Sequence, residues 1–369
     1  MGELAGIGDF LFRIGAFVVV IGIIVFVHEF GHFLAARLVG IRVIRFSIGF
    51  PPKLLAWTRG DTEYQIGMIP MGGYVKMAGI IDESFGDEES TITGAKDEFV
   101  SKNPFQKSFV LSAGVIMNLL FAWLLAMVLI FTQGKPVAYD PIIGSVEQKM
   151  PAYTDLHLKV GDKIYSVNGT LTPDWDTLTK LIHESVNQPV TIQWIRGSDT
   201  LHGATTTQVR EIPDINGNII KVGLIGITPK VTYLPIGISE AASNGTHFAW
   251  AILRGSTLGF VQLFTGHASV RELVGPIGIV QMSGESAKSG APAFWGFLIL
   301  ISISVAMINI LPLPVLDGGH LLMVWIETAI GKPIPTSVKL RIQQVGIAFL
   351  LLMVLFVSYH DIIRMWSSN

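Results

Sequence analysis

The chain has 369 residues, half of them hydrophobic and only 15% charged. Soluble domains carry about 25% charged residues, so this composition argues for a bilayer as the main solvent. A formal net charge of −2 gives no basis for a nucleic-acid partner, and the lack of cysteine excludes disulfides, thiolate metal sites and a cysteine nucleophile.

Residues 1–13 carry Glu3, Asp9 and one basic residue, Arg13, and so lack the basic start of a cleaved signal peptide. Residues 14–38 form the first apolar stretch of the roughly 20 residues that a spanning helix needs, and they contain His28-Glu29-Phe30-Gly31-His32. In residues 43–77, two short strand-like runs, 64–69 and 74–77, surround Pro70-Met71-Gly72-Gly73. Their apolar composition suits a β-loop that re-enters the bilayer, with an edge to which an unwound peptide can add as a strand; an ordinary cytoplasmic hairpin is the alternative. The acidic run of Asp82, Glu83, Asp87, Glu88 and Glu89 reads as a solvated loop.

A second span covers residues 109–131, after which the composition turns soluble between 137 and 230. There, β-rich runs at 142–146 and 190–194 flank a helix-like stretch, Trp175–Glu184, and the run from Pro151 to Gly169 resembles the PDZ pattern of helical turn, Gly-Asp, strand and Asn-Gly. Residues 248–265 are interrupted by Arg254 and dotted with Gly255, Ser256, Thr257 and Gly259. They read as an amphipathic helix at the membrane surface. A third span begins at Phe294 and is stopped by Pro312 and Pro314; a fourth covers 345–363. The expected fold is a polytopic α-helical membrane protein of about four transmembrane helices, with a re-entrant β-loop and one inserted PDZ-like α+β domain. Its parts are 1–136, 137–230, a surface segment 231–292, and 293–369.

Lys and Arg near the span ends set orientation. Arg42, Arg45, Lys53, Arg59, Lys76, Lys96, Lys102 and Lys107 lie between the first two spans, against Arg13 before the first and Lys135 after the second. That segment is therefore expected on the cytoplasmic side, with residues 137–230 outside. Four spans then deliver His28, His32 and Asp317 to the same cytoplasmic half, whereas a fifth span at 248–265 would put Asp317 at the other face.

Histidines four apart on a helix share a face, so His28 and His32 can bind one zinc, and Glu29, about 100° round the helix, can act on water without being a ligand. Three ionisable residues in an apolar helix are costly at membrane depth, and a metal compensates them. Catalytic zinc takes three protein ligands. Asp317, in Asn309-Ile310-Leu311-Pro312-Leu313-Pro314-Val315-Leu316-Asp317-Gly318-Gly319, is the strongest candidate for the third; His320 would be a fourth ligand and would displace the water.

HEFGH in the first span, with NILPLPVLDG far downstream, resembles the site-2 protease family of intramembrane metalloproteases, and most closely its bacterial RseP-like branch. Gly49-Phe50-Pro51-Pro52-Lys53, Pro70-Met71-Gly72-Gly73-Tyr74-Val75-Lys76 and Gly275-Pro276-Ile277-Gly278-Ile279 agree with it too. The resemblance implies that His28, His32 and Asp317 bind Zn2+, that Glu29 is the general base, and that Asn309 lies near substrate. Gly72, Gly73 and Tyr74 are expected on the substrate-binding loop. It further implies a bacterial cytoplasmic (inner) membrane enzyme that cleaves single-span membrane proteins, such as anti-sigma factors or signal-peptide remnants. The chain departs from many relatives at Ala113-Gly114-Val115-Ile116-Met117-Asn118, where they have proline after the glycine, and it has room for one PDZ domain where some carry two. A catalytically inactive receptor and a metal transporter are the alternatives; neither needs a glutamate beside the first histidine.

Overall fold

Among the described residues, four helices are long and apolar enough to cross a membrane, at the places where the four hydrophobic stretches stand. They are α1 (Gly2–Leu38), α2 (Pro104–Gln133), α7 (Ala291–Asn309) and α9 (Thr336–Ser367). The computed structural model describes residues 2–80, 93–213, 219–266 and 273–367; Asp82, Glu83, Asp87, Glu88 and Glu89 fall outside these. By its internal contacts the chain divides into a helical unit (residues 1–130 and 238–369) and an inserted unit (131–237).

In the helical unit, α2 starts with a reciprocal cap: Gln106 N donates to Asn103 Oδ1 at 2.9 Å, and Asn103 N to Gln106 Oε1 at 3.2 Å. The helix runs unbroken through Val115, as expected of a sequence without proline there. Val20 and Ile24 of α1 pack with Phe297 and Leu298 of α7. Ala122, Ala126 and Leu129 of α2 pack with Ile299 and Ile303 of α7. On their other faces α1 and α9 leave Phe26, Phe30, Leu34, Leu351, Leu352 and Leu355 bare. A row of exposed apolar side chains of this extent is what lipid, and not water, accommodates.

Between the inserted unit and α7 lie α5 (Ile238–Phe264) and α6 (Pro276–Lys288). The expected helix at 248–265 thus begins ten residues earlier. Small residues in its polar first half allow close docking on α2: a side chain at Gly245 would meet the Met127 backbone at 2.7 Å, and Trp123 Nε1 donates to Thr246 at 2.8 Å. Ala249 joins the α2–α7 core, and Thr257 contacts Met307 Sδ at 3.7 Å. Helix α6 packs on α1, where Arg13 bonds Asp9 (2.8 Å) and Glu285 (3.2 Å).

Residues 43–77 form β1 (Val43–Arg59) and β2 (Thr62–Met77), each doubled back so that their halves make a four-segment antiparallel sheet. Phe46 pairs with both Val75 and Tyr64, and Trp57 pairs with Tyr64. The segment order is therefore 73–77, 43–50, 63–69, 53–59, with 73–77 and 53–59 at the two edges. Phe46 and Tyr64 pack on Phe33 of α1, while Leu54, Leu55, Trp57, Met68 and Ile69 are exposed.

The inserted unit is α+β and opens with β3 (Lys135–Val137), β4 (Ile143–Val146) and the short helix α3 (Pro151–Thr154). Strands β5 (Lys163–Val167), β6 (Thr170–Leu171), β7 (Pro189–Arg196) and β8 (Asp199–Thr206) form a sheet of order β6-β5-β7-β8. Helix α4 spans Trp175–Glu184, as its pattern predicts, and Asp174 Oδ1 caps it by accepting from Thr177 N at 2.7 Å. Asn168 and Gly169 both have positive φ (52° and 78°), which lets the chain turn within two residues between β5 and β6. Ile143, Ile164, Leu178, Ile182, Ile192 and Trp194 form its core.

Candidate metal centre

Helix α1 carries His28 and His32 one turn apart, and α2 crosses it at their level. The crossing is tight: a β-carbon at Gly31 would lie 2.5 Å from the Ala113 carbonyl oxygen. One at Gly114 would overlap His32 Nε2 and approach His28 Nε2 at 2.8 Å. Glycine at 114 is what lets the two imidazoles lie against the α2 backbone.

Asp317 arrives from the far end of the chain. Helix α7 ends at Asn309 because Pro312 and Pro314 cannot continue it. The turn passes through Val315 at φ 91°, and α8 (Asp317–Ile330) begins with the aspartate itself. The turn folds closely onto α8: β-carbons at Gly318 and Gly319 would collide with the carbonyl oxygens of Ile310, Leu311 and Leu313.

Three atoms converge. His28 Nε2 lies 3.0 Å from Asp317 Oδ2, His32 Nε2 lies 3.2 Å from the same oxygen, and the two Nε2 atoms are 3.2 Å apart. Around tetrahedral zinc with bonds of about 2.0–2.2 Å, ligand atoms are separated by about 3.3–3.6 Å, so this triangle fits the ion with little adjustment. The protonation pattern agrees. His32 Nδ1 is 2.8 Å from the Val110 carbonyl oxygen, which only accepts, so Nδ1 carries the proton and Nε2 presents a lone pair. A proton placed among the three acceptors bridges two of them; a metal ion serves all three. Both histidines are buried, as a site without bulk water requires.

Other residues singled out by the sequence are placed as follows. Glu29 stands on α1 beside the triangle, with Gly73 of β2 against it: a β-carbon at 73 would lie 3.1 Å from Glu29 Cγ and 2.6 Å from the Ser47 carbonyl oxygen. Gly72 has φ 145°, and a side chain there would run into the Phe50 ring. The Tyr74 hydroxyl accepts from Gln65 Nε2 at 2.8 Å and Arg45 at 3.3 Å, within the sheet. Asn309 closes α7 and stands outside the cluster of His28, His32 and Asp317, as does His320. His320 lines a cavity of about 240 Å³ with Leu111, Met323 and Glu327. Sequence reasoning passed over Gly31, Gly114 and the Val110 carbonyl. The Ala113–Asn118 run does hold the signal, a glycine four residues before a lone asparagine in an apolar helix, but it points to no partner without the α1–α2 crossing.

Apolar helices around three groups that could hold a metal ion, with a glutamate beside them, are the frame of a membrane-embedded metallohydrolase. Residues 16–353 match the profile of Peptidase family M50. A Nostoc sp. protein whose name assigns it to the zinc metalloproteases is 35% identical over 348 residues, covering 91% of this chain and 92% of the relative. The regulator of sigma-W protease RasP of Bacillus subtilis is 27% identical, over 95% of this chain and 98% of its own. The PDZ domain of an SdrC-like protein from Listeria monocytogenes is 25% identical over 25% of this chain and 90% of that domain, with a TM-score of 0.20. The chain belongs to peptidase family M50, and it is an intramembrane zinc metalloendopeptidase of the site-2 protease type.

Proposed function

We propose that His28, His32 and Asp317 hold the catalytic zinc, that Glu29 is its general base and acid, and that the enzyme releases anti-sigma factors or clears signal-peptide remnants by cutting their spans. The observation that carries this reading is the 3.0–3.2 Å triangle of His28 Nε2, His32 Nε2 and Asp317 Oδ2 beside Glu29. The partner class is drawn from RasP, whose name makes it a regulator of sigma-W.

When bound, zinc supplies Lewis acidity toward a peptide carbonyl and acidifies water. The Glu29 carboxylate takes a proton from the attacking water and passes it to the leaving amine. An intact transmembrane helix keeps its carbonyls in its own hydrogen bonds, so the substrate has to unwind, and its freed backbone groups then need partners. The segment 73–77 is an edge of the sheet and begins at Gly73, against Glu29. In this reading Gly72, Gly73 and Tyr74 offer backbone groups to the unwound segment as an added strand, and Asn309 steadies it from the end of α7. The exposed Leu54, Leu55, Trp57, Met68 and Ile69 support a sheet that re-enters the bilayer. The lysines and arginines between α1 and α2 support a topology with the metal toward the cytoplasm and residues 137–230 outside.

Glu29→Gln tests the assignment. Cleavage of a single-span substrate should fall by at least about a hundredfold, while zinc per protein stays at the level of the unaltered enzyme. Loss of the metal in E29Q would make Glu29 a ligand instead of a base.

A further inference from the structure

Asn118 lies on α2, buried within an otherwise apolar stretch. Its backbone carbonyl accepts from the Ser302 hydroxyl at 3.0 Å, which ties α7 to α2 at this level. Its side chain faces the outer edge of a metal-site imidazole, with Nδ2 3.4 Å from His28 Nδ1, while Oδ1 has no hydrogen-bond partner. The two ends of an amide have the same shape, so which of them faces the ring is decided by hydrogen-bond chemistry. With Nδ2 toward the ring, His28 Nδ1 has to accept. Its proton would then sit on Nε2, the atom 3.0 Å from Asp317 Oδ2, and block the metal. Turned by 180°, the amide oxygen accepts from Nδ1–H and leaves the Nε2 lone pair facing the triangle. That is the tautomer the Val110 carbonyl imposes on His32. Either rotation leaves one end of the amide without a protein partner among the described residues, so the unpaired groups do not decide between them; the metal does.

Resting on the zinc reading above, we infer that Asn118 is a positioning residue for the metal, its side-chain oxygen holding the Nδ1–H of His28 so that Nε2 is free to ligate. Each histidine then has its own acceptor on α2, about two helical turns apart: a backbone carbonyl at Val110 and a side-chain amide at Asn118. Acceptors of this kind orient the ring and raise the basicity of the ligating nitrogen, and their removal costs about tenfold to a hundredfold in metal affinity.

The experiment measures zinc affinity by chelator competition for the full-length protein and for N118L and N118D, with the thermal midpoint of each metal-free form as a control. Leucine keeps the volume and removes the acceptor, so N118L should bind zinc about ten to a hundred times more weakly, with a metal-free midpoint close to that of the unaltered protein. Aspartate keeps an acceptor, so N118D should bind at least as tightly as the unaltered chain. Equal affinity of N118L and the unaltered protein would overturn the inference, as would an N118D as weak as N118L, which would mark Asn118 as packing alone. Failure of the unaltered protein to bind zinc would sink the zinc reading itself, a separate result.

Discussion

Gly114 occupies the point where a side chain would fill the space of both imidazoles, and its role depends on what stands opposite. An added methyl at 114 meets His32 Nε2, a group already held from behind by the Val110 carbonyl and unable to retreat. Gly114→Ala should therefore weaken zinc binding more than about tenfold, as loss of an outer partner does, while leaving α2 helical. Chelator competition measures the first effect and circular dichroism the second, and tight zinc in G114A would mean that the α1–α2 crossing can yield to a methyl group. Asp317→Asn follows from ligand chemistry. A neutral amide oxygen is a poorer donor than a carboxylate, so D317N should lose zinc during dialysis against a chelator that the unaltered protein survives. Full occupancy afterwards would remove Asp317 from the site.

At the scale of elements, the sheet of residues 43–77 shows what alternation alone leaves open. Apolar composition marks the strands, but a strand that pairs on both sides with two halves of the same partner is a matter of register, which pattern does not specify. Doubling back gives the sheet two edges, and they differ: 73–77 begins beside Glu29, whereas 53–59 is the fully exposed side. The absence of native cysteine makes the edges separable. Single cysteines at Tyr74 and Lys76, in the E29Q background, should form disulfides with cysteines placed at alternate positions of a trapped substrate span. Cross-links arising at Leu55 and Trp57 instead would assign substrate to the other edge. Helix α5 teaches a related lesson. Its polar first ten residues hide it from hydropathy, yet Ala241, Gly245 and Ala249 are small where α5 approaches its neighbours, so packing extends the helix beyond its apolar stripe.

For the whole molecule, the decisive property is parity. After α1, crossings by α2 and α7 return Asp317 to the side on which His28 and His32 stand, and the triangle requires that meeting. Single cysteines at Ser101 and Ser198 test the orientation, since the first lies between α1 and α2 and the second in the inserted unit. In intact cells an impermeant thiol reagent should label S198C and spare S101C until the membrane is opened. Labelling of S101C from outside would invert the topology and place the metal toward the other face.

Several features were legible in residue order because their physics is local. Spans follow from uninterrupted apolar length, the end of α7 follows from Pro312 and Pro314, and the shared face of His28 and His32 follows from helical pitch. The cap of α4 and the turn at Asn168-Gly169 are likewise written in neighbouring residues. What only the tertiary structure decided is every pairing across distance. The Val110 carbonyl behind His32, the Asn118 amide behind His28, the glycine at 114 between them and the contact of Gly73 with Glu29 each join segments far apart in the chain. Such contacts depend on the rotation and depth at which α1, α2 and the sheet pack, and those are set by the summed fit of side chains, which no single stretch of sequence carries.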